Sequence, residues 1–204
     1  MSLDEFALIE RIARRTRARA DIVLGIGDDA ALLQPAPGQQ LAVTADTLNA
    51  GVHFPAESAP ADIGWKALAA NLSDLAAMGA VPAWCTLSLS LPQAEGDWLD
   101  AFADGLFALA DASGIAVVGG DTTRGPLSIS ITAMGQLPAA QALRRDGARV
   151  GDDIWVSGHP GEAAGALQLW QQGRLDVRGV VADAAHERLR QRLQRPMPRL
   201  ALGL

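Results

Sequence analysis

Apolar side chains near the start of the chain return at helical intervals: Phe6, Leu8, Ile9, Ile12 and Ala13. Ser2 and Glu5 have the spacing of a capping box, so a first helix is predicted here, with packing as its role. Two short apolar runs follow, 22–26 and 41–43, on either side of the turn-forming Pro35-Ala36-Pro37-Gly38. Both predict strands that run directly into aspartates. Over 61–78 the apolar positions Ile63, Ala67, Leu68, Leu72, Leu75 and Met78 keep a helical period, and Gly79 closes the element. Asn71 and Asp74 then fall in its last turns. Residues 84–91 alternate strictly, with Cys85, Leu87, Leu89 and Leu91 opposite Trp84, Thr86, Ser88 and Ser90, which predicts a half-buried strand. A helix over 96–112 comes next, then an apolar strand over 115–118 that ends at Gly119-Gly120-Asp121. A second alternating strand sets Leu127, Ile129, Ile131 and Ala133 against Ser128, Ser130, Thr132 and Met134.

The pattern breaks near Pro138. Beyond the polar run 144–149 the spacing predicts a strand over 153–157, a glycine-containing helix start at 158–165, and an Arg-rich amphipathic helix over 182–195 stopped by Pro196 and Pro198. Two domains are expected, 1–137 and 138–204. The second has about 65 residues, few for an independent domain, and the chain looks cut short.

At 204 residues and 49% hydrophobic, the chain can bury a sizeable core. Its net charge of -6 argues against an electrostatic grip on nucleic acid or an anionic membrane, so anionic substrates would need metal ions as intermediaries. Cys85 is the only cysteine, which excludes an intramolecular disulfide and a multi-cysteine metal cluster. The N-terminus does not read as a secretory signal, and no apolar run approaches the 18 or so residues of a membrane span. A soluble, cytoplasmic protein is expected.

Four places put acidic residues at the ends of apolar elements: Gly25-Ile26-Gly27-Asp28-Asp29, Thr44-Ala45-Asp46-Thr47, Asn71-Leu72-Ser73-Asp74, and Gly119-Gly120-Asp121-Thr122-Thr123-Arg124-Gly125. Magnesium takes hard oxygen ligands and keeps several waters, so carboxylates gathered from separate loops suit it. Singly, each aspartate is equally well a turn or capping residue. Glycines after an apolar strand let backbone N–H groups approach a phosphate, while Asp121 can hold a metal and Arg124 a second anion. No Walker A sequence is present, and Lys66 is the only lysine, so magnesium and arginine would have to do the work of a lysine-centred phosphate cradle.

With these motifs in this order the chain resembles the thiamine-monophosphate kinases, of the superfamily of aminoimidazole ribotide synthetase, selenophosphate synthetase and a hydrogenase maturation factor. The matching segments are GIGDDAALL at 25–33, TADTLNAGVHF at 44–54, NLSDLAAMGAVP at 71–82, GGDTTRGPLSI at 119–129, RRDGARVGDDIWVSG at 144–158 and RPMPRLALG at 195–203. The resemblance implies an α+β fold, in which an N-terminal mixed β-sheet with helices pairs with a second subunit to close a barrel, followed by the beginning of an α+β C-terminal domain. It implies Asp29, Thr44, Asp46, Asp74 and Asp121 as magnesium ligands, with Asp28 as a neighbour or further ligand. Gly120, Asp121 and Arg145 would contact ATP, His53 the thiamine phosphate, and Asp46 and Asp121 would carry catalysis. The implied reaction is in-line transfer of the γ-phosphoryl group of ATP to thiamine monophosphate, in a homodimer. Ala45 stands where the family often has a hydroxyl residue, and the family's later SDGL motif does not occur before Leu204. The alternatives are another ATP-dependent enzyme of the superfamily and a non-catalytic nucleotide- or metal-binding module.

Overall fold

The structure is a computed structural model that describes residues 5–178 and 183–204, so Ser2 of the expected capping box and Ala182 lie outside the described residues. Helix α1 (Glu5–Ala13) buries Leu8 and Ile12, the helical stripe read from the sequence. The first apolar run becomes β1 (Ile22–Leu24), paired antiparallel with a short β2 (Leu32–Leu33) that two adjacent leucines were too brief to signal. Strand β3 (Gln39–Asn49) extends well past the apolar run 41–43. Its polar half stays extended because every backbone position from Gln39 to Asn49 pairs with a neighbouring strand.

Helix α2 (Pro60–Ala77) begins with proline at its first position, where no N–H is needed, and ends as expected at Met78 and Gly79. Strand β4 (Val81–Leu91), helix α3 (Gly96–Ser113), strand β5 (Ala116–Arg124) and strand β6 (Ser128–Pro138) complete a four-stranded sheet in the order β3-β6-β4-β5. The pairs β3–β6 and β6–β4 are antiparallel, and β4–β5 is parallel, joined by the α3 crossover. The fold is thus α+β with a mixed sheet, as expected.

Period-two alternation decides what the sheet buries. Leu87, Leu89, Ile129, Ile131 and Ala133 face α2 and α3 and are all at most 4% exposed. The helices themselves pack backbone to backbone: a Cβ on Gly105 would lie 1.8 Å from the Ala61 carbonyl oxygen. On the other face, Val43 is 61% exposed and Ala45, Thr47 and Ser88 are also exposed. Trp84 lies on the expected face, opposite Cys85 and Leu87, but is fully buried there with Ala83 and Val118. The register shift between Pro82 and Trp84 brings Ala83 into the same cluster, and Ile22 and Leu33 pack over both.

After Pro138 come α4 (Glu162–Gln171), α5 (Ala184–Gln194) and the unexpected short α6 (Leu200–Gly203). The strand expected over 153–157 does not form. Among the described residues no strand pairs with it, and Ile154, Trp155 and Val156 are exposed, so its ladder groups have no partner. Among the described residues no helix is long and apolar enough to cross a membrane.

Candidate functional site

The Gly119-Gly120-Asp121 run is part of strand β5, a correction to the expectation that the glycines follow the strand. A Cβ on Gly120 would sit 1.8 Å from the Leu87 carbonyl oxygen, and its φ of 153° lies where side chains are rarely accommodated. Glycine is therefore required because β5 presses against β4. Beside this edge strand lies a cleft of about 790 Å³. Its lining combines carboxylates with apolar side chains: Asp28, Asp29 and Asp121, with Gly120, and Ile9, Ile12, Ile26 and Met134. The Asp28 carboxylate accepts the Asp29 N–H at 2.8 Å, a local bond that sets the turn of the loop.

A second group assembles at the opposite edge of the sheet, on β3. The Thr44 hydroxyl donates to Asp74 Oδ2 of α2 at 2.7 Å. The Asp46 N–H donates to Asn71 Oδ1 at 3.1 Å, and Asn71, fully buried, donates in turn to the Ala67 carbonyl at 3.1 Å. Asn71 thus fixes the β3 backbone at Asp46, a positioning role not assigned from the NLSD motif. Ala45 is exposed on the bare face, so a hydroxyl there would point away from Asp46 and Asp74.

The register separates the two groups. Asp46, Ile131, Leu87 and Gly120 form one row across the four strands, and Thr47, Ser130, Ser88 and Asp121 form the next. Asp46 and Asp121 therefore lie on opposite edges and opposite faces, with three strand spacings of about 4.8 Å between them. Among the described residues no three His, Cys, Asp or Glu side chains stand close enough to hold a metal ion together.

His53 is exposed in the turn after β3, beside buried Phe54. Its Nδ1 accepts the Asn49 N–H at 3.0 Å, so the neutral ring carries its proton on Nε2, pointed outward as a donor. Arg145 is exposed beyond the C-terminal end of α2, where the Leu143 N–H donates to the Met78 carbonyl at 3.0 Å. It is not among the residues that line the cleft with Gly120 and Asp121.

Residues 27–137, which carry both groups and all but the last residue of the four-stranded sheet, match the model of the AIR synthase related protein, N-terminal domain. The chain belongs to that family. It is 50% identical over 204 residues to the thiamine-monophosphate kinase of Salmonella typhimurium, covering all of this chain and 62% of the relative. The crystal structure of thiamine-monophosphate kinase from Stenotrophomonas maltophilia K279a is similar at 68% identity and a TM-score of 0.91, over 100% of this chain and 65% of that one. A structure described as AaThiL complexed with AMPPCP and TMP matches at 32% identity and a TM-score of 0.75, over 100% and 63% of the two chains. The chain thus spans a little under two thirds of the length of these relatives.

Sequence reasoning missed the cleft's apolar wall. Ile9 and Ile12 of α1 line it, yet their spacing signals only a helix with a buried stripe. Nothing in that stripe distinguishes a wall from a core.

Proposed function

We propose that this chain supplies the ATP- and magnesium-binding portion of a thiamine-monophosphate kinase. The reading is carried by one observation: a cleft lined by both carboxylates and apolar side chains, in a chain 50% identical along its whole length to such a kinase. A phosphate acceptor is already ionised, so the reaction needs positioning and charge neutralisation more than a strong general base.

The donor sets fit magnesium, which is usually held by one or two carboxylates, waters and substrate phosphates. Asp29 and Asp121, with Asp28 beside them, would hold it in the cleft; Thr44, Asp46 and Asp74 would do so at the β3 edge. Magnesium, when bound, supplies charge neutralisation and orientation for the phosphate oxygens. Asn71 keeps the Asp46 backbone in place, and Gly120 allows β5 to lie against β4 where the cleft needs its edge. In the same reading His53 donates its Nε2–H to the thiamine phosphate, and Arg145 balances charge on ATP.

The test is ADP formation from ATP and thiamine monophosphate, with and without magnesium, on this chain and on a form extended to the full length of the relatives. Turnover that requires magnesium and is abolished by Asp46→Asn or Asp121→Asn supports the proposal. Its absence in both forms rejects it.

The bare sheet face with exposed Val43, Ala45 and Thr47 supports a homodimer in which a second copy covers it, since an uncovered sheet face exposes apolar area to water. Sedimentation at a monomer mass at every concentration would reject that. A division at Pro138 is proposed as well, supported by the end of β6 there and by a separate cluster of Ala166, Leu175, Val177 and Leu193. A cytoplasmic location is proposed on the lone unpaired thiol of Cys85 and the phosphorylated substrates.

A further inference from the structure

Residues 11–19 hold five arginines, Arg11 in the last turn of α1 and Arg14, Arg15, Arg17 and Arg19 in the stretch that links it to β1. Helix α3 buries Leu99, Phe102, Leu106 and Leu109 and turns Asp100, Asp104 and Asp111 away from that core. At 100° per residue those three aspartates share one stripe, because steps of 4 and 11 residues return within about 40° of the start. The arginines meet them in order. Arg11 pairs with Asp100, and Arg15 with Asp104 and, at 3.4 Å, with Asp100. Arg17 pairs with Asp111 at 2.9 Å. Arg19 closes the series by donating to the Gly114 carbonyl at the end of α3 at 2.9 Å and to the Ala83 carbonyl at the start of β4 at 3.0 Å.

This ladder has a consequence for the cleft. Helix α1 packs against both α3 and β5, and its Ile9 and Ile12 form part of the cleft's wall. A nine-residue helix is too short to hold its place by propensity alone. Among the described residues of α1, Leu8 and Ile12 are the buried side chains, and the ion pairs at its C-terminal end add to the hold on its angle over the cleft. Those nearest α1 are the less hydrated ones: the Arg15 side chain is 29% exposed, against 77% for Arg17.

We propose that Arg11 and Arg15 are positioning residues, which set the affinity of the cleft for a nucleotide by holding the α1 wall against its base while touching neither base nor phosphate. This rests on the reading of the cleft as a nucleotide site. The apolar side chains of the wall take a planar ring, and the carboxylates, with magnesium, take the phosphates.

The test measures binding of the non-hydrolysable analogue AMPPCP with magnesium by calorimetry, alongside the melting temperature of each variant. Arg15→Ala is expected to weaken binding about fivefold, which is about 1 kcal/mol at 1.4 kcal/mol per tenfold and in the range of two partly exposed ion pairs. Arg15→Lys is expected to recover part of the loss. Arg17→Ala, which removes a more exposed rung farther from α1, is expected to stay within about twofold of the parent and to lower the melting temperature less than Arg15→Ala does. Asp104→Asn keeps the shape of the rung, removes its charge, and serves if Arg15→Ala does not fold. Parent binding left unchanged by both Arg15→Ala and Asp104→Asn overturns the positioning role alone. A loss in Arg17→Ala equal to that in Arg15→Ala overturns it too, as a general stability effect. No binding by the parent overturns the nucleotide reading together with it.

Discussion

Gly119 and Gly120 are adjacent in one motif, yet the structure predicts that they respond oppositely to a methyl group. A Cβ at Gly120 would lie 1.8 Å from the Leu87 carbonyl oxygen and 2.6 Å from its carbonyl carbon. Real Cβ atoms do not approach closer than about 3 Å, so β5 would have to move away from β4 by more than 1 Å, and the obstacle is backbone that cannot rotate aside. Overpacking costs about 1–3 kcal/mol, and a non-glycine residue held at a φ of 153° costs a similar amount again. Gly120→Ala should therefore lose about 3–5 kcal/mol of a total stability of about 5–15. At about 2–4 °C per kcal/mol for a chain of this size, its melting temperature should fall by about 6–20 °C. At Gly119 the nearest atom to an added Cβ is the Thr86 Cγ2 at 3.9 Å, an ordinary contact, so Gly119→Ala should shift the melt by no more than about 2 °C. Circular-dichroism melts of the two variants decide the matter. Equal shifts, or a Gly120→Ala melt within 2 °C or so of the parent, would refute the argument that strand packing requires this glycine.

Two further outcomes follow from burial. Asp62, whose side chain is 5% exposed, receives Arg190 at 3.1 Å and also Arg195, so Asp62→Asn should cost about 3 kcal/mol in urea unfolding; a loss under about 0.5 would show that the two arginines find water instead. Burial pushes the Cys85 thiol up to about 12, so a disulfide-exchange reagent near pH 8 should label it only as fast as the chain unfolds, and labelling within seconds in the folded state would contradict this. The same shift has a sign: above the unfolded thiol's value of about 8.5 the unfolded chain loses its proton first, so stability should fall by about 1.4 kcal/mol per pH unit up to about 12, a slope absent in Cys85→Ala.

Local periodicity made α2, α3, β4 and β6 legible, because each buries one face and its apolar residues must recur with the element's own period. What depends on partners was not legible. Strand β3 runs on through Thr44, Asp46 and Asn49 because β6 pairs with it throughout, a long-range fact that no local pattern records. The opposite error occurred at 153–157, where β-branched and aromatic residues promised a strand but no neighbour among the described residues receives it. The candidate acids were visible as four motifs. Their division between two edges was not, since it is set by the strand order β3-β6-β4-β5, which places the second and fourth motifs at opposite ends of the sheet.

That division yields one more prediction. Magnesium holds its ligands at about 2.1 Å, so two carboxylates on one ion lie within about 4 Å of each other. Three strand spacings put Asp46 and Asp121 about 14 Å apart, on opposite faces, with buried Ile131 and Leu87 in the row between their edges. Within one chain they cannot share an ion. Changes at sites more than about 10 Å apart add to within about 0.5 kcal/mol. The free-energy losses of Asp46→Asn and Asp121→Asn in magnesium-AMPPCP binding should therefore sum to that of the double variant when the chain is studied dilute. A coupling above about 1 kcal/mol would refute independent sites in the single chain. Coupling that appears only as protein concentration rises would have a different source: a second copy bringing its β5 edge to the β3 edge of the first, so that the two halves of the carboxylate set meet across the subunits.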